Sequence, residues 1–192
     1  MIRSALKFIK QQLDQYMALN FNLDESAVVI NALLDLDGAA SEKNKNKVVI
    51  TMINLDLETS RQFATMNRRL SNNDVAQVNA AQYFNIDLLF TSNFDDYEEA
   101  LKFLGATISF FQANTSFNAE HMSSMPSGLT RLNFEIENAS FLDTHNLWSA
   151  MGAKYQPSII YKVRHISIDS DQINSVQPSI TSIAASAGQY DG

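Results

Sequence analysis

No cysteine occurs in this sequence. That removes a disulfide framework, a thiolate metal site and a cysteine nucleophile together, and it fits a reducing compartment without requiring one. Glycine and proline are also scarce, six and three in 192 residues, which excludes fibrous and low-complexity classes. Nowhere is there the run of about eighteen apolar residues that a helix needs to span a bilayer, so direct membrane insertion is not expected. Positive charge is in short supply: 14 Lys and Arg face 21 Asp and Glu, for a net charge of −7 and a pI near 4.8. Nucleic acid is wrapped by clustered cations that displace phosphate counterions, so no nucleic-acid partner is expected either. The opening MIRSALKFIKQQLDQYM carries Lys7 and Lys10 inside its apolar stretch and does not read as a signal peptide. Synthesis and first residence in the cytoplasm are expected.

Catalytic motifs are missing too. The three histidines, His121, His145 and His165, have neither an i, i+4 partner nor HExxH spacing, so a catalytic zinc site has no support. Asp143 and His145 stand two apart at a helix start, where capping is the simpler role. Ser123 and Ser124 follow His121, but no GxSxG elbow surrounds them. Neither GxGxxG nor GxxxxGK[ST] is present to cradle phosphates. Asp35-Leu36-Asp37-Gly38 superficially suggests a calcium loop, yet lacks the remaining ligands and flanking helices, and reads as a turn. No catalytic residue, metal or cofactor is expected.

What is present is apolar material in order. At 45% hydrophobic and 10% aromatic, the chain has the content of one globular domain with a substantial core. Ile2, Leu6, Ile9, Leu13 and Tyr16 or Met17 recur at helical spacing, an amphipathic helix that packs on its own domain or binds a partner. Ala27 to Leu36 is a mostly apolar, strand-like run, and residues 37–47 are a charged loop. Val48 to Leu57 is β-branched and nearly continuous, a strand expected to be covered on both faces. Glu58 to Gln82 loses periodicity and reads as a long loop, mobile or ordered by a neighbour. Phe84 to Phe90 alternates as a strand. Asp95 or Asp96 then caps a helix, with Glu98 or Glu99 answering as a capping box. Its stripe is Tyr97, Leu101, Leu104, Ile108 and Phe111, widened by Ala100, Phe103 and Phe110. Leu132, Phe134 and Ile136 alternate with Asn133, Glu135 and Glu137, a strand with one dry face.

The stretch Phe141 to Ile166 holds the single tryptophan. Asp143 or Thr144 caps a short helix bearing Leu147, Trp148 and Met151 on one side, with Trp148 assigned to core. Gly152 stops it, and Pro157 turns the chain into a strand from Ser158 to Ile166. Alternation on that strand puts Ile159, Tyr161, Val163 and His165 on one face and Ile160, Lys162, Arg164 and Ile166 on the other. The cationic stripe is either solvated or set against the acidic surface of another subunit. Residues 167–192 contain no Lys or Arg and read as a tail, free or docked as an arm. Four or five strands with three helices predict an α/β, or mixed α+β, fold: a mixed sheet flanked by helices over residues 1–166, with an extended C-terminal arm over 167–192.

LWSAMGAKYQPSIIYKVR (Leu147 to Arg164) resembles the near-C-terminal signature of the cap, or tail-terminator, proteins of extracellular contractile injection systems. Three further blocks agree in order: NKVVITMINLDLE (Asn46 to Glu58), NIDLLFTSNFDDYEEALKFLGATISFFQ (Asn85 to Gln112) and LNFEIENASF (Leu132 to Phe141). The resemblance implies a tail-terminator fold and a non-enzymatic role. It implies a homo-oligomeric ring, expected to be sixfold, that sits on the last inner-tube and sheath layers and ends their growth. Three contact regions follow under that reading. Arg61, Arg68 and Arg69 lie within Glu58–Gln82, facing the tube or a neighbouring subunit. Lys154, Tyr155, Lys162 and Arg164 make subunit or sheath contacts. Ile168, Ile173, Ile180, Ile183 and Tyr190 belong to an arm that reaches the sheath. Some members of the family carry a further C-terminal domain, so a minimal cap or one of several paralogues is expected. A baseplate or adaptor protein of the same particle is the alternative, and a small-molecule enzyme or binder a more distant one.

Overall fold

A computed structural model describes residues 1–58, 65–69, 75–79, 82–168 and 173–177, with backbone alone for 65–69, 75–79, 165, 167, 168 and 173–177. Helix α1, Ile2–Phe21, turns its apolar stripe inward, burying Ala5, Leu6, Phe8, Ile9, Leu13 and Met17. Of the two residues that could extend the stripe, Met17 is sealed and Tyr16 only partly covered. The helix stops at Asn22, whose left-handed conformation (φ 50°) lets its N–H reach the Ala18 carbonyl. Then β1, Val28–Ile30, runs parallel to β2, Lys47–Leu57.

Among the described residues the strands form two sheets. β3 (Thr65–Arg69) and β4 (Val75–Asn79) make a hairpin inside the stretch that reads as a loop from sequence. β5 (Gln82–Asn93), β6 (Ser116–Asn118), β7 (Arg131–Ile136) and β8 (Ser158–Ile168) join β1 and β2 in a six-stranded mixed sheet ordered β1-β2-β5-β8-β7-β6. β9, Ile173–Gln177, pairs antiparallel with β4 to complete a three-stranded sheet. β8 therefore runs past residue 166. The segment after it returns to pair with the chain's own hairpin.

Two bulges decide which side chains share a face. Between Met52 and Asn54 the register against β5 shifts by one residue, which turns Asn54 and Asp56 away from the face carrying Val48, Ile50 and Met52. A second shift, opposite Phe84 and Ile86, gives β8 an extra residue. It carries Ile166 onto the face of Tyr161 and Val163, where it is fully buried, instead of the Lys162 face that unbroken alternation predicts.

The core lies on the face covered by α1 and α2. Val48, Ile50, Ile86, Leu88, Phe90, Leu132, Phe134, Tyr161, Val163 and Ile166 meet Ile9, Leu13 and Met17 there. Helix α2, Tyr97–Ala113, starts at Asp96, whose carboxylate accepts from the N–H groups of Glu98 (2.7 Å) and Glu99 (3.1 Å). Its buried stripe is Ala100, Phe103, Thr107, Phe110 and Phe111, while Tyr97 and Leu101 are exposed. The stripe is rotated from the expected one because Thr107 enters the core at little cost, its hydroxyl donating to the Phe103 carbonyl at 2.8 Å. Phe111 sits at the centre, with ring centroids 4.7 Å from Phe134 and Tyr161 and 5.0 Å from Phe90. β2 is sealed on both faces only at Val48–Ile50; Met52, Leu55 and Leu57 are exposed.

Candidate functional site

The opposite face of the sheet is polar across β2, β5, β8 and β7. Lys162 reaches Glu137 (3.6 Å), Asp87 (3.7 Å) and Asp56 (3.8 Å), carboxylates from three directions. Arg164 donates through Nε to Glu135 at 2.9 Å and lies 3.5 Å from Glu58. Amides stitch the rest together. Asn54 donates to Asp87 and Asp56, each at 3.1 Å, and Asn85 to Glu58 at 2.9 Å. Lys162 and Arg164 thus share one face, as alternation predicts. Each is already met by carboxylates of neighbouring strands. Five carboxylates against two cations leave this face acidic.

Beside this network stands α3, Phe141–Met151. Its cap is Ser140, whose hydroxyl accepts from the Asp143 N–H while Asp143 accepts from the Ser140 N–H in a capping box. The helix begins earlier than a cap at Asp143 or Thr144 would place it, and that puts Phe141 and Leu142 in the first turn, 90% and 65% exposed. Asp143 is engaged in this cap, whereas His145 is simply exposed. Trp148, at 5% exposure, is the one side chain α3 buries. It lies edge-on to Tyr155 at 5.4 Å and borders two cavities of about 240 and 340 Å³, the first shared with Leu89 and Ile160 of the sheet. Gly152 ends the helix at φ 67°, a conformation that a Cβ disfavours.

Lys154 and Tyr155 follow in the exposed link to β8, and Lys154 has no ion-pair partner among the described residues. Arg68 and Arg69 lie on β3, opposite Ala76 and Val75. Ile168 pairs with Gln82 and Ile173 with Val78. Arg61, Ile180, Ile183 and Tyr190 fall outside the described residues. The Asp35–Gly38 segment is a turn, closed by the Gly38 N–H on the Asp35 carbonyl. Among the described residues no three acidic or histidine side chains gather as a metal site, and no helix is long and apolar enough to cross a membrane.

One surface escapes sequence reasoning. Ile2, Leu6, Ile30 and Met52 line an open groove of about 530 Å³ between α1 and the β1–β2 edge, rimmed by Arg3, Lys7 and Lys10. Its signal in the sequence is slight: cations at i and i+4 bordering the α1 stripe. Asp14 fixes the groove wall. It accepts from the N–H groups of Ala27 (2.9 Å) and Val28 (3.1 Å), from Lys10 (3.0 Å) and from the Ser26 hydroxyl (2.7 Å). Burial pushes its pKa up, but the Ser26 and Lys10 hydrogen bonds, the Lys10 charge and the Ala27 N–H outweigh that and hold it below the ordinary value.

No curated protein matches the chain. The family described as the Pvc16 N-terminal domain matches residues 5–182. Among solved structures, the chain is similar to the PVC sheath/tube terminator of an extracellular contractile injection system in its extended state (TM-score 0.64, 13% identity). That alignment covers 100% of this chain and 64% of the other. It is also similar to the tube-terminating cap of the anti-feeding prophage (TM-score 0.58, 12% identity), over 93% of this chain and 60% of that one. At such identities the likeness is one of fold, and the chain spans under two thirds of each relative's length.

Proposed function

Because the chain belongs to the Pvc16 N-terminal domain family, we propose that it is the terminator of a contractile injection particle, a structural subunit that closes the distal end of inner tube and sheath. The observation that carries this is the family match over residues 5–182, joined to a fold shared along the whole chain with a sheath/tube terminator. The mechanism is geometric. Copies meet through heterologous contacts that close into a ring, expected to be sixfold. One side of the ring complements the last tube ring and sheath layer, and the other offers no site for a further layer. The role is one of assembly, with no bond made or broken. The acidic sheet face, surplus in carboxylates, suits a basic partner surface, where charge sets register more than affinity. Synthesis and assembly in the cytoplasm belong to the same reading, which the absence of cysteine supports.

Light scattering on the purified chain, alone and with the particle's tube and sheath proteins, tests the proposal. A species of about six times 21.5 kDa, formed alone or on tube ends, is the expected result. A chain that stays monomeric and ignores tube and sheath overturns it. Labelling at the baseplate end would instead make it an adaptor.

A further inference from the structure

We propose that neighbouring copies in the ring join through α3, with Phe141 and Leu142 of one copy seated in the α1–β2 groove of the next. The inference rests on the ring reading and names the contact that builds it. Three observations carry it. First, Phe141 and Leu142 sit side by side in the first turn of α3, 90% and 65% exposed, an adjacent aromatic and aliphatic pair that the fold itself does not cover. Second, the chain has an apolar recess to take them: the groove lined by Ile2, Leu6, Ile30 and Met52. The recess is on the core face at the β1–β2 edge, while α3 lies across the opposite face over Leu89 and Ile160. The sheet stands between the two, so a chain cannot fill its own groove, and a knob and a hole on different faces make a heterologous contact. Third, the charges match. From Leu132 to Ala153 there is no Lys or Arg, and Asp143 stands in the same first turn as Phe141 and Leu142, with Glu137 just before the helix. The groove rim bears Arg3 and Lys7, which make no ion pair among the described residues, and the first acid in the chain is Asp14. A buried aromatic anchor ringed by complementary charge is the usual core of a protein interface.

The lack of cysteine makes the test direct. Two single variants, Phe141→Cys and Met52→Cys, both at exposed positions, are assembled on tube and sheath separately and as a mixture, then treated with a short thiol cross-linker. Cross-linked dimers in the mixture, and not in either variant alone, are the expected result. Dimers from Phe141→Cys alone overturn the proposal, since they indicate like meeting like. Rings that form without cross-linking overturn it too while leaving the terminator reading intact. If no ring forms even with the natural sequence, both readings fail. As a second measurement, Phe141→Asp weakens self-association by about thirtyfold or more, the scale of a central anchor, with an unchanged melting temperature. Unchanged association overturns the proposal.

Discussion

Toward α1 and α2 the six-stranded sheet presents rings and branched aliphatics packed around Phe111, edge-on from Phe90, stacked with Phe134 and tilted against Tyr161. Toward α3 it presents a lattice of carboxylates, amides and two cations, with a helix held on by a single tryptophan. The first face draws its stability from close packing, where every void removes contacts. The second is held by directional pairs that water partly screens. The same sheet thus offers one side that resists change and one side whose pieces are attached loosely enough to meet a partner.

Substitutions can break that comparison. Phe111→Ala, at the best-packed point, is expected to cost about 4–5 kcal/mol by cavity formation, measured by denaturant unfolding. Trp148→Ala should cost less, about 3 kcal/mol, because its site already borders voids and can relax. An equal or larger loss at Trp148 would mean that α3 is as firmly built in as α2. Lys162→Ala follows at about 2 kcal/mol, since it leaves Asp87 and its neighbours facing one another in a half-buried setting. A neutral result would show the carboxylates to be adequately hydrated on their own. The smallest effect is Asp14→Asn, about 1 kcal/mol at neutral pH. The carboxylate's folded pKa is depressed, so its contribution is full above the unfolded value near 4 and fades as pH falls through the lower folded value. The difference between Asp14→Asn and the natural chain should therefore narrow in acid. A difference that widens there would contradict the hydrogen bonds assigned to Asp14.

Helical spacing made α1 legible, and the Asp96 cap together with the aromatic run made α2 legible in all but its rotation. A cap at Asp143 or Thr144, three or four residues after the Ser140 that serves, leaves the exposed pair outside the helix. The sequence readily suggests a cap at Asp143, because an acid at a helix start is common. The serine three residues earlier does the capping and recruits Asp143 as its partner. The hairpin β3–β4 and strand β9 were not legible, because MNRR and VAQVN show no apolar alternation and their pairing rests on backbone hydrogen bonds. Lys162 and Arg164 were correctly placed on one face, but their partners come from β5, β7 and the end of β2. Those arise from register and from the bulge that turns Asp56 onto the polar face, which a single strand's pattern does not contain.

The position of β8 has a consequence for the order of events during synthesis. It is the last strand of the six-stranded sheet in sequence and stands between β5 and β7. Until residues 158–168 leave the ribosome, β1-β2-β5 and β6-β7 are separate half-sheets, each with a bare inner edge and an unfinished aromatic core. Insertion of a strand into that gap joins contacts far apart in sequence, a slow and all-or-none step. A chain interrupted before residue 158 is left with two unjoined half-sheets and bare strand edges, the kind of surface that invites aggregation.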